Sequence, residues 1–168
     1  MANVGQGEIM IVTMSFIANL PSSLLTEHAN WHMGHMNERA RGEGVAVLDF
    51  HRRFLAQFHA WYGTSPGANL ALVAPWPSIP ANVSANLSPS VARKLAKIAG
   101  APAAYPTEDK LGIAIHPLHD QIHGAIATTF GEPGMNDPSK APQYTEFWNL
   151  HGMIDHWFTV WQQAHPGK

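Results

Sequence analysis

Leu118-His119-Asp120-Gln121-Ile122-His123 and Phe147-Trp148-Asn149-Leu150-His151-Gly152-Met153-Ile154-Asp155 decide how this chain folds. His119 and His123 are four residues apart, so on a helix they share one face. Ile115, Leu118, Ile122 and Ile126 run an apolar stripe beside them. Around His151, Phe147, Leu150, Ile154, Trp157 and Trp161 recur at alternating spacings of three and four, which predicts a packed bundle helix from about Gln143 to Ala164. Three imidazoles on two apolar helical faces can converge on one ion, and imidazole suits copper, zinc, iron or nickel.

Upstream, a similar arrangement recurs. Leu24, His28, His32 and His35 are spaced four, four and three apart, a helical pattern that Ser22 or Ser23 would cap. A second helix, Val45 to Tyr62, carries Phe54, Leu55, Phe58 and Tyr62 as a stripe, with His51 on it. His59 lies two turns further on, roughly 12 Å along the axis, too far to share an ion with His51, and is read as structural. Pro117 suits the first turn of its helix, which leaves His116 outside.

The connections are rich in proline and glycine. Gly63 to Pro89 reads as an irregular segment wrapped over the core, and Gly131 to Pro142 as a long loop of the sort that rims a site. Ser88-Pro89 opens a short amphipathic helix through Val91, Leu95 and Ile98, ending at Gly100. Two helix pairs, each with about three inward histidines, predict a mainly α fold. The expected architecture is one domain over residues 1–168, a four-helix bundle core carrying a dinuclear metal site, with long Pro/Gly-rich loops.

Composition narrows the function. Hydrophobic residues make up 45% and charged residues 13%, which argues against disorder. The formal net charge is −2 without a basic cluster, so nucleic acid and anionic membranes are poor partners. Histidine is the anomaly, eleven residues against ten for Lys and Arg together. With no cysteine there is no disulfide or thiolate metal site, and the redox compartment stays open. The run Ile9 to Ile17 is too short to span a bilayer and lacks a positively charged lead, so a buried strand or first helix is expected there. Cytoplasmic residence and secretion without a visible signal peptide both remain open.

The donor set then selects among metals. Histidines without a carboxylate cluster argue against a di-iron bundle, which uses Glu-x-x-His pairs, and against magnesium or calcium, which take oxygen. Zinc needs three or four ligands and leaves several histidines unexplained. Two copper ions with three histidines each account for the count best.

Together these residues resemble the tyrosinase family of type 3 copper proteins, which includes catechol oxidases. Leu118-His119-Asp120-Gln121-Ile122-His123 resembles the family's Leu-His-Asn-x-x-His segment, which supplies two ligands of the second copper. Phe147 to Asp155 resembles its Phe-x-x-x-His-x-x-x-Asp signature, with His151 as third ligand, and Trp161-Gln162 matches its closing Trp-Gln. Asn136-Asp137-Pro138 is similar to an upstream Asp-Pro stretch. His51-Arg52-Arg53-Phe54-Leu55 is similar to the motif that carries the last ligand of the first copper, and Ala74-Pro75-Trp76 to the Pro-Tyr-Trp that follows it. The departures are Phe50 where the family has Trp, Phe158 where it has the first of a Trp pair, and no histidine nine residues before His51.

The resemblance implies two copper ions and O2 as co-substrate, with a small phenolic substrate oxidised to an o-quinone. His119, His123 and His151 would hold one copper. His51, with ligands drawn from His28, His32 and His35, would hold the other. Asp120 stands where the family often has an Asn linked to phenol deprotonation, and could act as the base itself. Asp155 is expected to be a structural partner and His156 a surface residue. Two other functions stay open: a non-catalytic copper- or O2-binding protein, and a mononuclear three-histidine zinc or copper enzyme.

Overall fold

The computed structural model describes residues 14–167. Among them are six α-helices and no β-strand beyond a single isolated bridge. The helices are α1 (Ser22–Gly34), α2 (Glu43–Tyr62), α3 (Ala81–Ser84), α4 (Pro89–Gly100), α5 (Glu108–Phe130) and α6 (Thr145–Ala164). None is long and apolar enough to cross a membrane. The fold is mainly α, as the periodicity predicts.

α2, α5 and α6 pack against one another, and α1 completes the fourth side by lying on α2 and on the 3-10 turn Ala141–Gln143. Along α2 the stripe Phe54, Phe58 and Tyr62 is buried. Phe58 lies flat on Trp148 of α6 with ring centroids 3.5 Å apart. Each large ring buried this way contributes a few kcal/mol, so the α2–α6 seam holds much of the core. Arg52 clamps the same seam: it binds the Asp155 carboxylate at 2.5 Å and the Thr159 hydroxyl at 2.8 Å, and lies over the Phe158 ring. Asp155 is thus the structural partner expected of it, and exposed His156 faces solvent.

α2 and α5 meet backbone to backbone. A Cβ on Gly44 would stand 2.0 Å from the Asp109 carbonyl, and one on Gly112 would stand 2.0 Å from the Gly44 carbonyl. Only glycine on both sides allows this approach. At the same crossing the Asp109 side chain accepts from the backbone N–H groups of Gly42 and Gly44, both at 3.0 Å. It thereby satisfies orphan donors at the α2 N-terminus from another helix.

Three local expectations need correction. The N-cap of α1 is Pro21, with no side-chain cap, and Ser22 and Ser23 belong to the helix. α5 starts about two and a half turns earlier than its proline suggests, because Thr107 caps it by accepting from the Lys110 N–H and Glu108 and Asp109 favour its first turn. Pro117 therefore lies inside α5, and His116 is a buried helical residue. The proline removes one backbone donor, a cost that α5 bears because buried apolar contacts on both sides of Pro117 hold it helical. Finally, the part of the Ile9–Ile17 run that is described forms neither strand nor helix. Phe16 makes the isolated bridge to Tyr144, with Met14 and Ile17 buried, while residues 9–13 lie outside the described residues.

The Gly63 to Pro89 segment is anchored rather than loose. The Asn149 side chain donates to the carbonyls of Leu72 and Ala74, and Asn149 accepts from the Trp76 N–H at 3.1 Å. Ser88 caps α4 as its sequence predicts.

Candidate metal centre

α1, α2, α5 and α6 each present histidine to one buried space. His28, His51, His119, His123 and His151 are all buried, and His32 is half-buried. Two groups have ligand atoms close enough to hold a metal ion: His28, His51 and His151, and His119, His123 and His151.

What orients these rings is the second nitrogen of each. His51 Nδ1 donates to the Val47 carbonyl at 2.8 Å and His151 Nδ1 to the Phe147 carbonyl at 2.6 Å, in both cases the carbonyl one turn earlier on the same helix. His28 Nδ1 donates to the Pro138 carbonyl at 2.7 Å and His123 Nδ1 to the Met135 carbonyl at 2.9 Å, both from the loop between α5 and α6. His119 Nδ1 donates to the Asp120 carboxylate at 2.8 Å. A carbonyl or carboxylate only accepts, so the proton of each neutral ring sits on Nδ1 and Nε2 is a bare lone pair.

Those lone pairs face each other. His119 Nε2 is 2.9 Å from His151 Nε2 and 3.0 Å from His123 Nε2. With all three protons already placed on Nδ1, neither contact is a hydrogen bond. Lone pairs this close repel unless a cation lies between them. Imidazole nitrogens bound at about 2.0–2.1 Å to one tetrahedral ion stand roughly 3.3 Å apart, so the cluster needs to open by only a few tenths of an ångström. His32 Nε2 lies 3.2 Å from His28 Nε2, and the buried Nε2 of His51 has no hydrogen-bond partner. An all-imidazole donor set with lone pairs turned inward fits a borderline transition-metal ion.

Electrostatics agree. Burial, then neighbouring His32, pushes His28 down to about 3, and burial pushes His32 down to about 4. Burial likewise drives His51, His119 and His151 well below the usual histidine range, with the other rings adding to it, and lowers His123. The rings are therefore neutral at pH 7, the state that binds a metal without first losing a proton.

No family model, curated protein or solved structure matches this chain.

His28, His32, His119 and His123 of the cluster line the floor of an open cavity of about 480 Å³, with His51 and His151 outside its lining. Its walls come from the end of α1, from α5 and from the 131–142 loop, through Met135 to Ser139. Asp120 lines it and is half-exposed, with one carboxylate oxygen taken by His119. Burial and the neighbouring Asp120 raise the Glu38 carboxyl at the rim.

Of the histidines singled out by spacing, His28, His32, His51, His119, His123 and His151 come together. His35 stands apart from both groups. Its ring stacks on Trp31 with centroids 4.4 Å apart, and Nδ1 donates to Glu43 at 2.8 Å. His59 is exposed, away from the cluster. His116 is the residue that sequence reasoning missed: it is buried and lines the cavity, and its Nδ1 has no partner. Its spacing of three from His119 was the available signal, and the proline rule pointed the other way.

Proposed function

We propose that this chain is a type 3 dicopper oxidase that uses O2 to convert phenols, catechols or related aminophenols to o-quinones. One observation carries the reading: six histidines from four helices turn toward one buried space beneath an open cavity, five of them with Nδ1 tied down. His28, His32 and His51 would hold one ion and His119, His123 and His151 the other. Bound copper supplies the exchange of electrons with O2 that side chains alone lack.

The remaining work falls to the chain. The Nδ1 tethers keep the rings from rotating and keep their lone pairs available. The cavity has room for a single-ring phenol above the floor. Asp120 takes the phenol proton on the carboxylate oxygen that His119 leaves free. Two catechols and one O2 give two o-quinones and two waters; a monophenol and one O2 give one o-quinone and one water.

The test is formation of the o-quinone from 4-methylcatechol, and of the o-quinone imine from 2-aminophenol, by copper-reconstituted protein, followed by absorbance. Activity should depend on copper and vanish in the metal-free chain. Two coppers per chain with no turnover of catechols, phenols or aminophenols would sink the enzyme reading.

A second reading is favoured by His151, which belongs to both groups of three. A single zinc or copper ion on His119, His123 and His151 would use the tightest contacts. Metal analysis giving one ion per chain, unchanged by His51→Ala, selects it.

A further inference from the structure

We propose that Met33, His35 and Met36 form a Cu(I)-capture site at the mouth of the cavity, which hands the ion down to the histidine cluster. This rests on the copper reading of that cluster. Met33 and Met36 are 68% and 82% exposed, although both are large apolar residues on a chain whose core is otherwise well covered. Both line the cavity that has His28 and His119 at its base, and His35 lines it between them.

The three side chains sit where α1 ends. Met33 is in its last turn and His35 is its C-cap, so Met33 and Met36 flank the histidine on a short stretch of chain. His35 is prepared as a ligand in the same way as the deeper rings. Nδ1 donates to the Glu43 carboxylate, which leaves Nε2 as the bare nitrogen, and stacking on Trp31 fixes the ring.

The donor chemistry names the ion. Thioethers are soft, and with an imidazole they select Cu(I) over zinc and over hard cations such as magnesium. Glu38, Asp120 and Asp137 line the same cavity, Asp137 paired with Lys140, and among the described residues no Lys or Arg lines it. A cation is therefore drawn in, and the soft donors decide which cation stays. Transfer needs no change of oxidation state: Cu(I) exchanges two thioethers and one imidazole for the imidazoles below.

The experiment mixes metal-free protein anaerobically with Cu(I) supplied as its acetonitrile complex, which holds no sulfur, and follows uptake with a chromogenic Cu(I) chelator. The M33L/M36L double variant should load at least ~10-fold more slowly and reach the same final copper content, because only the soft donors are lost. Its thermal midpoint should match wild type, since both side chains are exposed. X-ray absorption of samples frozen early in loading should show sulfur bound to Cu(I) in wild type and none in the double variant. Equal loading rates overturn the capture site alone. A wild-type chain that takes up no copper overturns both the capture site and the copper reading beneath it. Sulfur-bound Cu(I) in a chain whose histidines stay empty would overturn both the hand-down and the copper reading of the cluster, leaving only a surface Cu(I) site.

Discussion

His151 carries more of the centre than any other single ring. Its Nε2 lies within reach of both groups of three, and its Nδ1 is held by Phe147 on its own helix. Replacing it should therefore cost more metal than replacing a ring that serves one group. After copper reconstitution, His151→Ala and His123→Ala should each lose the ion of their shared triad, and His151→Ala should also hold the second ion less tightly because its ring reaches His28 and His51. Metal analysis per chain after desalting checks this, and equal losses in the two variants would contradict the shared role. Asp120 can be separated from its neighbours in the same way. Asp120→Asn keeps an oxygen for His119 Nδ1 but loses basicity, so copper content should hold while turnover of a monophenol falls by about 10²-fold or more.

At the level of elements, the crossing of α2 and α5 is the most demanding contact. A methyl group at Gly112 would overlap the Gly44 backbone, and no flexible side chain is there to give way. Gly112→Ala should destabilise the protein by about 3 kcal/mol or more, read from urea midpoints. Removing the carboxylate that caps α2 from across the crossing, as in Asp109→Ala, should cost about 1–2 kcal/mol. Periodicity made most of these elements legible in the sequence: the Phe147 to Trp161 stripe and the Leu24 to His35 stripe both became helices. The bare proline rule did not serve for α5, since tertiary packing holds His116 and Pro117 helical against their local preference. Nor could sequence show that the Pro138 and Met135 carbonyls orient His28 and His123, since both contacts join residues that only the finished fold brings together. Spacing also offered His28, His32 and His35 as equals. Only the direction of α1 relative to the cluster separates His35 from the other two.

For the whole molecule, the histidine cluster makes stability depend on pH when metal is absent. Folded His28 and His32 titrate near 3 and 4, below the ordinary value of 6.5 that the unfolded chain shows. Above pH 6.5 both states are neutral and these residues have no effect. As pH falls below 6.5 the unfolded chain takes up protons that the folded chain refuses, so stability drops. Each such ring contributes up to about 1.4 kcal/mol per pH unit, and several act together. Thermal midpoints of metal-free protein should fall steeply from pH 7 to pH 5, and bound metal should flatten that fall because it occupies the lone pairs. A flat profile for the metal-free chain would mean that the rings are not held neutral.

His28 lies on the first helix described and His151 on the last, and the group they form with His51 has no member to spare. A ribosome must therefore have translated through α6 before either group that contains His151 can close. Nascent chains emerging from the exit tunnel would carry at most the His28, His32 and His51 half of the centre, with the other half still lacking His151. Loading of the complete centre is then an event of the released, folded protein, and a chain cut short by stalled synthesis or by proteolysis before α6 would hold one ion at most.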